Sequence, residues 1–393
     1  MSSTVSERFS VTYRVRAAAR DVNARAQALA LEQSIEMPLE AVTQEFVRER
    51  IVARVESIVP VETPAAAGCF DVVLSLATRT TGFEAGQLLN MLFGNCSLQP
   101  DVELLAFEPN PELLQAFPGP RFGLEGWRQA LGLDRVPRRA LTCTALKPQG
   151  LSPPQLSELA RTFALAGIDV IKDDHGIADQ EDARFGARVA AVQRAIERAA
   201  VERGSGARVL YAPTLSGGPS RLREQLRIAR DEGVGAVLIC PMLCGVPTLV
   251  ELVREEAGVP ILAHPAFAGS TRIAPELLLG RLFRMFGADA TIFPNFGGRF
   301  SYDRGTCRAI AQRAREPLER VRAILPVPAG GMRTERVDEM IEEFGTDVML
   351  LIGGHLLAGA TTLGDSVLAR ATAFVQRVHA AVPSVRAAES GAA

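Results

Sequence analysis

No apolar run in the 393-residue chain approaches the ~20 residues needed to span a bilayer; the longest, Ala236 to Val246, is too short. An excess of positive charge is missing too. Forty-three Lys plus Arg stand against 45 Asp plus Glu, a net charge of −2, so there is no basic footprint for nucleic acid. The first residues, Met1 to Glu7, lack a basic region followed by an apolar stretch, so export is not expected. Cysteine is sparse and scattered, at Cys69, Cys96, Cys143, Cys240, Cys244 and Cys307. The close pair Cys240 and Cys244 has no second pair or histidine nearby, which argues for reduced, buried thiols and a cytoplasmic enzyme. What the chain has in plenty is apolar material. With 47% hydrophobic and 22% charged residues it can bury a large core, which excludes a disordered or fibrous chain. At ~100–200 residues per domain, its length suits two or three domains.

The pattern changes near residue 135. Before it, residues 9–15 alternate in the period-2 way of a half-buried strand, and Asp21 is placed to cap a helix running to about Gln33. Strand runs at 52–59 and 69–76, a helix at 84–93 and a strand at 102–107 complete a β-α-β-β-α-β order. That order predicts a small ferredoxin-like α+β domain over 1–130, with Pro118 to Trp127 as a connector. From 135 to 380 one rhythm persists. Apolar runs begin near 140, 169, 208, 236, 260, 290, 324 and 347, with amphipathic helices between them. Eight such alternations predict an α/β catalytic domain built as a (β/α)8 TIM barrel, with a doubly wound open sheet as the competing topology. The Ala/Ser/Gly-rich end, 381–393, reads as a flexible tail.

In such a barrel chemistry gathers at the carboxyl ends of the strands. Here polar residues recur at those ends. Strand one ends in Lys147-Pro-Gln-Gly and strand two in Lys172-Asp-Asp174-His175. Strand five ends in His264, strand six in Asn295 with Gly-Gly-Arg299 close behind, strand seven in Gly330-Gly331 and strand eight in Gly353-Gly354-His355. Strand alternation turns Lys172 and Asp174 to the barrel mouth and Asp173 toward the helices. Lys172 beside carboxylates is either an ion-pair partner or, once carbamylated by CO2, a cation ligand. Lys147 is either a proton carrier of lowered pKa or a side chain snorkelling to solvent. The two glycine pairs are either plain turns or a backbone cradle for phosphate.

Taken together, Thr144-Ala-Leu-Lys147-Pro-Gln-Gly-Leu-Ser152 and Gly167-Ile-Asp-Val-Ile-Lys172-Asp-Asp174-His resemble the RuBisCO superfamily, and more closely its RuBisCO-like, non-carboxylating members. Ala263-His264, Ala329-Gly-Gly331 and Ile352-Gly-Gly354 fall where that family's later site segments lie. The resemblance implies that Lys147 handles protons, that Lys172 is carbamylated, and that Lys172, Asp174 and the next residue bind Mg²⁺. It implies head-to-tail homodimers in which Glu32 and Asn95 complete the neighbour's site. Departures qualify it. The third metal ligand is His175 where the family has glutamate, an imidazole that suits Mg²⁺ less well than other cations. The family's phosphate-binding arginine after His264 is Pro265, which points to a monophosphate substrate.

The chemistry implied is enolate formation next to a carbonyl, with Lys147, Lys172 and His264 as the reacting groups and Arg299 with the glycine pairs as substrate contacts. The leading expectation is C–C bond cleavage, by decarboxylation, transcarboxylation or hydrolysis, in a 3-oxo acid-sugar monophosphate such as 3-oxo-isoapionate 4-phosphate of the apionate route. The alternative is a keto-sugar-phosphate enolase or isomerase of methionine salvage, similar to 2,3-diketo-5-methylthiopentyl-1-phosphate enolase. A non-catalytic relative is disfavoured by retention of Lys147, Lys172 and Asp174. A Schiff-base aldolase is the reading left if the resemblance fails.

Overall fold

A computed structural model describes residues 7–63, 66–204, 206–255, 258–300, 302–358 and 365–381. Residues 382–393 of the expected tail lie outside them. In β1 (Arg8–Arg16) the alternation is realised: Phe9, Val11, Tyr13 and Val15 are buried while their neighbours are not. α1 (Val22–Glu32), β2 (Arg54–Pro60), β3 (Cys69–Ala77), α2 (Ala85–Phe93) and β4 (Val102–Glu108) follow. The four strands form one sheet in the order β2-β3-β1-β4, each neighbouring pair antiparallel. Buried polar groups tie a helix to it: the Tyr13 hydroxyl donates to Leu92 O at 2.6 Å and Gln33 Nε2 to Met91 O at 2.7 Å. Asp21 departs from expectation. It sits at the start of α1 without capping it, and its carboxylate faces Arg20 at 3.5 Å in an exposed pair.

The connector is also more than a connector. Gly123–Leu131 forms α3, whose Leu124, Trp127 and Leu131 pack against Leu141, Cys143 and Val170 inside the barrel. Asp289, just ahead of a barrel strand, accepts the Phe122 and Gly123 main-chain N–H groups at 2.7 and 2.6 Å. Arg128 reaches Asp347 at 3.1 Å. These anchors all precede strand starts, so α3 plugs the amino end of the barrel and leaves the other end open.

Eight parallel strands follow: β5 (Leu141–Leu146), β6 (Val170–Asp173), β7 (Leu210–Ala212), β8 (Val237–Ile239), β9 (Ile261–Ala263), β10 (Ala290–Pro294), β11 (Leu325–Ala329) and β12 (Met349–Leu351). Their ladders run β12-β5-β6-β7 and β8-β9-β10-β11. Leu238 N donates to Pro213 O at 2.9 Å across the β7–β8 seam, and β11 lies beside β12. The first and last barrel strands are therefore neighbours, with Leu141 opposite Met349, which excludes the open sheet. α4 (Pro153–Ala166), α5 (Phe185–Arg203), α6 (Pro219–Asp231), α7 (Val246–Glu255), α8 (Arg304–Arg315), α9 (Val337–Phe344) and α10 (Asp365–Ala380) cover the outside, with a further helical segment at 276–285. No helix among the described residues is long and apolar enough to cross a membrane. All six cysteines are free.

Candidate active site

The open end of the barrel holds a cavity of about 1250 Å³. Its wall is built by the strand ends in turn. β5 and β6 run in register, Leu146 opposite Asp173, so Lys147 and Asp174 emerge side by side one residue later. Lys147, Lys172, Asp174, His175 and His264 all line the cavity. So do Arg299, Gly330, Gly331, Gly353 and Gly354 from the last three loops. Glu32 and Asn95 do not. Asn95 Nδ2 donates to Glu32 Oε1 at 3.1 Å and to Glu36 Oε1 at 2.6 Å on the small domain.

Alternation along β6 sorts its polar residues as expected. Asp173 turns outward and is buried, accepting from Arg188 Nε at 3.1 Å, the Tyr211 hydroxyl at 2.8 Å and Thr214 N at 3.1 Å. Lys172, 2% exposed, donates to Asp173 O at 2.9 Å. The expected ion pair forms elsewhere: Asp174 pairs with Lys147, not Lys172. Burial alone would raise the Asp174 pKa, but hydrogen bonds from His175 and Lys147 outweigh it and hold the carboxyl well below the usual range. Burial pushes the Lys172 amine below its ordinary value, and the positive charge of Lys147 adds to that.

His264 is fixed by its own loop. Its Nδ1 accepts the Ala266 main-chain N–H at 3.1 Å, which leaves the ring proton on Nε2. Burial, then the charges of Lys172 and His175, pushes its pKa down to about 2, so the ring is neutral at ordinary pH. It stacks on His175 with ring centroids 4.0 Å apart and planes 15° from parallel.

The glycine pair after β11 has a local cause. Gly330 and Gly331 adopt φ of 80° and 104°, and a Cβ on them would sit 2.9 Å from the Phe300 ring and 2.9 Å from Arg299 N respectively. The loops after β10 and β11 thus meet along their backbones, with Arg299 N donating to Gly330 O at 2.8 Å. The first of these loops is also held from outside. Arg336 Nη1 donates to Phe296 O at 2.9 Å, and the Arg304 and Arg336 guanidinium carbons lie 4.5 and 5.1 Å from the Phe296 ring centre.

Several lining residues were absent from the sequence expectation: Arg333, Phe267, Phe300, Tyr302 and Met332. Arg333 lacks a motif of its own, being one arginine among many. A usable signal did exist for the lysines. Of 43 basic residues only Lys147 and Lys172 are lysine, and both line this cavity.

Among the described residues no three of His, Cys, Asp and Glu gather to hold a metal ion. Asp174 and His175 supply one carboxylate and one imidazole. A carbamate on Lys172 would add the missing oxygens, and a buried amine held toward its neutral form is what CO2 requires. The residues fit a divalent cation in that modified form alone.

Residues 126–389 match the family of the ribulose bisphosphate carboxylase large chain, catalytic domain. The chain is 52% identical over 371 residues to ribulose bisphosphate carboxylase-like protein 1 of Rhodopseudomonas palustris, covering 94% of this chain and 98% of that one. This chain belongs to the RuBisCO large-chain family. Within it the chain sits with the RuBisCO-like proteins. A crystal structure of a Rubisco-like protein from Rhodopseudomonas palustris superposes with a TM-score of 0.86 at 47% identity, over 95% of this chain and 98% of that one. A second relative, the 5-methylthioribulose-1-phosphate isomerase of Rhodospirillum rubrum, is 49% identical over 365 residues, 93% of this chain and 96% of the relative. For this RuBisCO-like protein, that likeness favours the enolase or isomerase expectation over C–C bond cleavage.

Proposed function

We propose that the protein is a ketose-phosphate isomerase acting on 5-methylthioribulose 1-phosphate through an enediol. The reading is carried by one observation: a chain 49% identical to such an isomerase brings its two lysines and a neutral histidine to one cavity. Moving the carbonyl along a sugar requires a proton to leave a carbon beside it and a proton to return to the former carbonyl carbon. Atoms are conserved and nothing is oxidised overall. Lys147, held against Asp174, carries the proton. His264 Nε2–H donates to the oxygen on which charge develops, a role that suits a neutral imidazole because it stabilises the oxyanion without giving up its proton.

The phosphate sits between the loops after β10, β11 and β12, where Arg299 and Arg333 line the wall next to the glycine pairs. A divalent cation held by carbamylated Lys172, Asp174 and His175 would further stabilise the enediolate when bound.

The test is ³¹P NMR on the purified protein with 5-methylthioribulose 1-phosphate or 3-oxo-isoapionate 4-phosphate, each with and without a divalent cation and bicarbonate. The expected result is conversion of the first sugar to an isomer of equal mass, fastest with both additions. Release of CO2 from the second with no turnover of the first would restore the cleavage reading.

A further inference from the structure

The cavity wall changes chemistry from loop to loop. Around β10 and β11 it carries Arg299 and Arg333, while after β9 the segment Pro265-Ala266-Phe267-Ala268 lines it without a charge. Within that segment Phe267 is in an unusual state. Its φ is 69°, the left-handed region that a bulky side chain rarely adopts. The loop enforces this conformation: Ser270 N and Oγ both donate to Phe267 O, at 3.2 and 2.7 Å, and Ala268 N donates to Pro265 O at 3.0 Å. The ring gains no core packing in return, since Phe267 is 64% exposed while lining the cavity. A strained backbone that holds an aromatic ring out at the rim of a site is a mark of function. Nothing polar in the segment 265–268 competes for what the ring would cover.

We propose that Phe267, with Pro265 and Ala266 beside it, is the seat for the apolar methylthio end of the substrate, while the arginines of the loops after β10 and β11 take its phosphate. This rests on the isomerase reading and names the residue that gives it specificity. A thioether meets an aromatic ring favourably, whereas a sugar hydroxyl brought there would lose water and gain no partner. Phe267 therefore discriminates between a methylthio group and a hydroxyl at the far end of otherwise equal sugars.

Steady-state kinetics on 5-methylthioribulose 1-phosphate and ribulose 1-phosphate test this, using the wild type, Phe267→Ala, Phe267→Leu and Phe267→Gly. Phe267→Ala should raise KM for the methylthio sugar about tenfold, with kcat within about threefold and KM for ribulose 1-phosphate unchanged. Phe267→Leu should recover most of the loss. Phe267→Gly should match Phe267→Ala in KM yet melt no lower than wild type, because glycine relieves the left-handed strain. Equal KM changes for both sugars, or none, would overturn the proposal. So would a fall in assembly mass with KM unchanged, which would assign the ring to contact with a second copy. A wild type that isomerises neither sugar would remove the isomerase reading itself, before any variant is compared.

Discussion

Arginine and lysine are divided by task in this chain. A guanidinium stays charged at any ordinary pH, so it suits permanent ion pairs such as Arg188–Asp173 and Arg139–Asp169. Amine side chains occur at Lys147 and Lys172 alone, and burial holds that of Lys172 toward its neutral form. His264 shows the same logic in a base kept neutral. Its folded pKa lies far below the ordinary 6.5, so below about pH 6.5 the unfolded chain binds a proton that the folded chain refuses. Stability therefore falls as pH falls through that range. Between pH 6.5 and 5, urea unfolding should show the wild type losing about 1 kcal/mol more than His264→Asn, a figure reduced for the ring's partial exposure. Parallel stability curves would contradict the burial argument. At this scale the sequence was legible where strand alternation rules, as with Lys172, Asp173 and Asp174. It was not legible for the partner of Asp174. Lys147 lies 27 residues earlier and meets it only once β5 and β6 stand side by side.

Among the elements, β6 is the one whose placement matters most, and it is held from behind. Asp173 locks the strand end to α5 through Arg188 and to β7 through Tyr211. Removing the carboxylate would leave a buried guanidinium without its partner. Asp173→Ala should cost about 3–5 kcal/mol in chemical denaturation, and any folded remainder should be poorly active because Lys172 and Asp174 flank the released position. A loss below about 1 kcal/mol would mean that the strand end is positioned by something else. The strands were readable because eight apolar runs recur at one spacing, and the order of the small domain was readable for the same reason. α3 was not. Leu124, Trp127 and Leu131 do recur at helical spacing, but over only nine residues, and the Trp127 ring is buried by residues from strands far along the chain. Its role as a plug exists only after the barrel has closed.

For the whole molecule, the closed end and the open end divide stability from chemistry. Asp289 and Arg128 tie α3 and the strand starts together at one end, while every lysine faces the other. Of the two arginines at the open end, Arg299 was expected from its place behind strand six, whereas Arg333 was hidden for the converse reason to the lysines: arginine is the common cation here, so a single one without a motif does not stand out. On the proposed isomerase reading, closure of the barrel is what brings a proton carrier, a neutral imidazole and a cationic corner for the phosphate to one small sugar. The most direct test of that account is proton NMR of 5-methylthioribulose 1-phosphate turned over in D2O by the wild type and by Lys147→Ala. The account predicts deuterium at a carbon beside the carbonyl, an intact carbon skeleton, and entry at least about a hundredfold slower in the variant. A broken skeleton, or a Lys147→Ala variant that exchanges as fast as wild type, would contradict it.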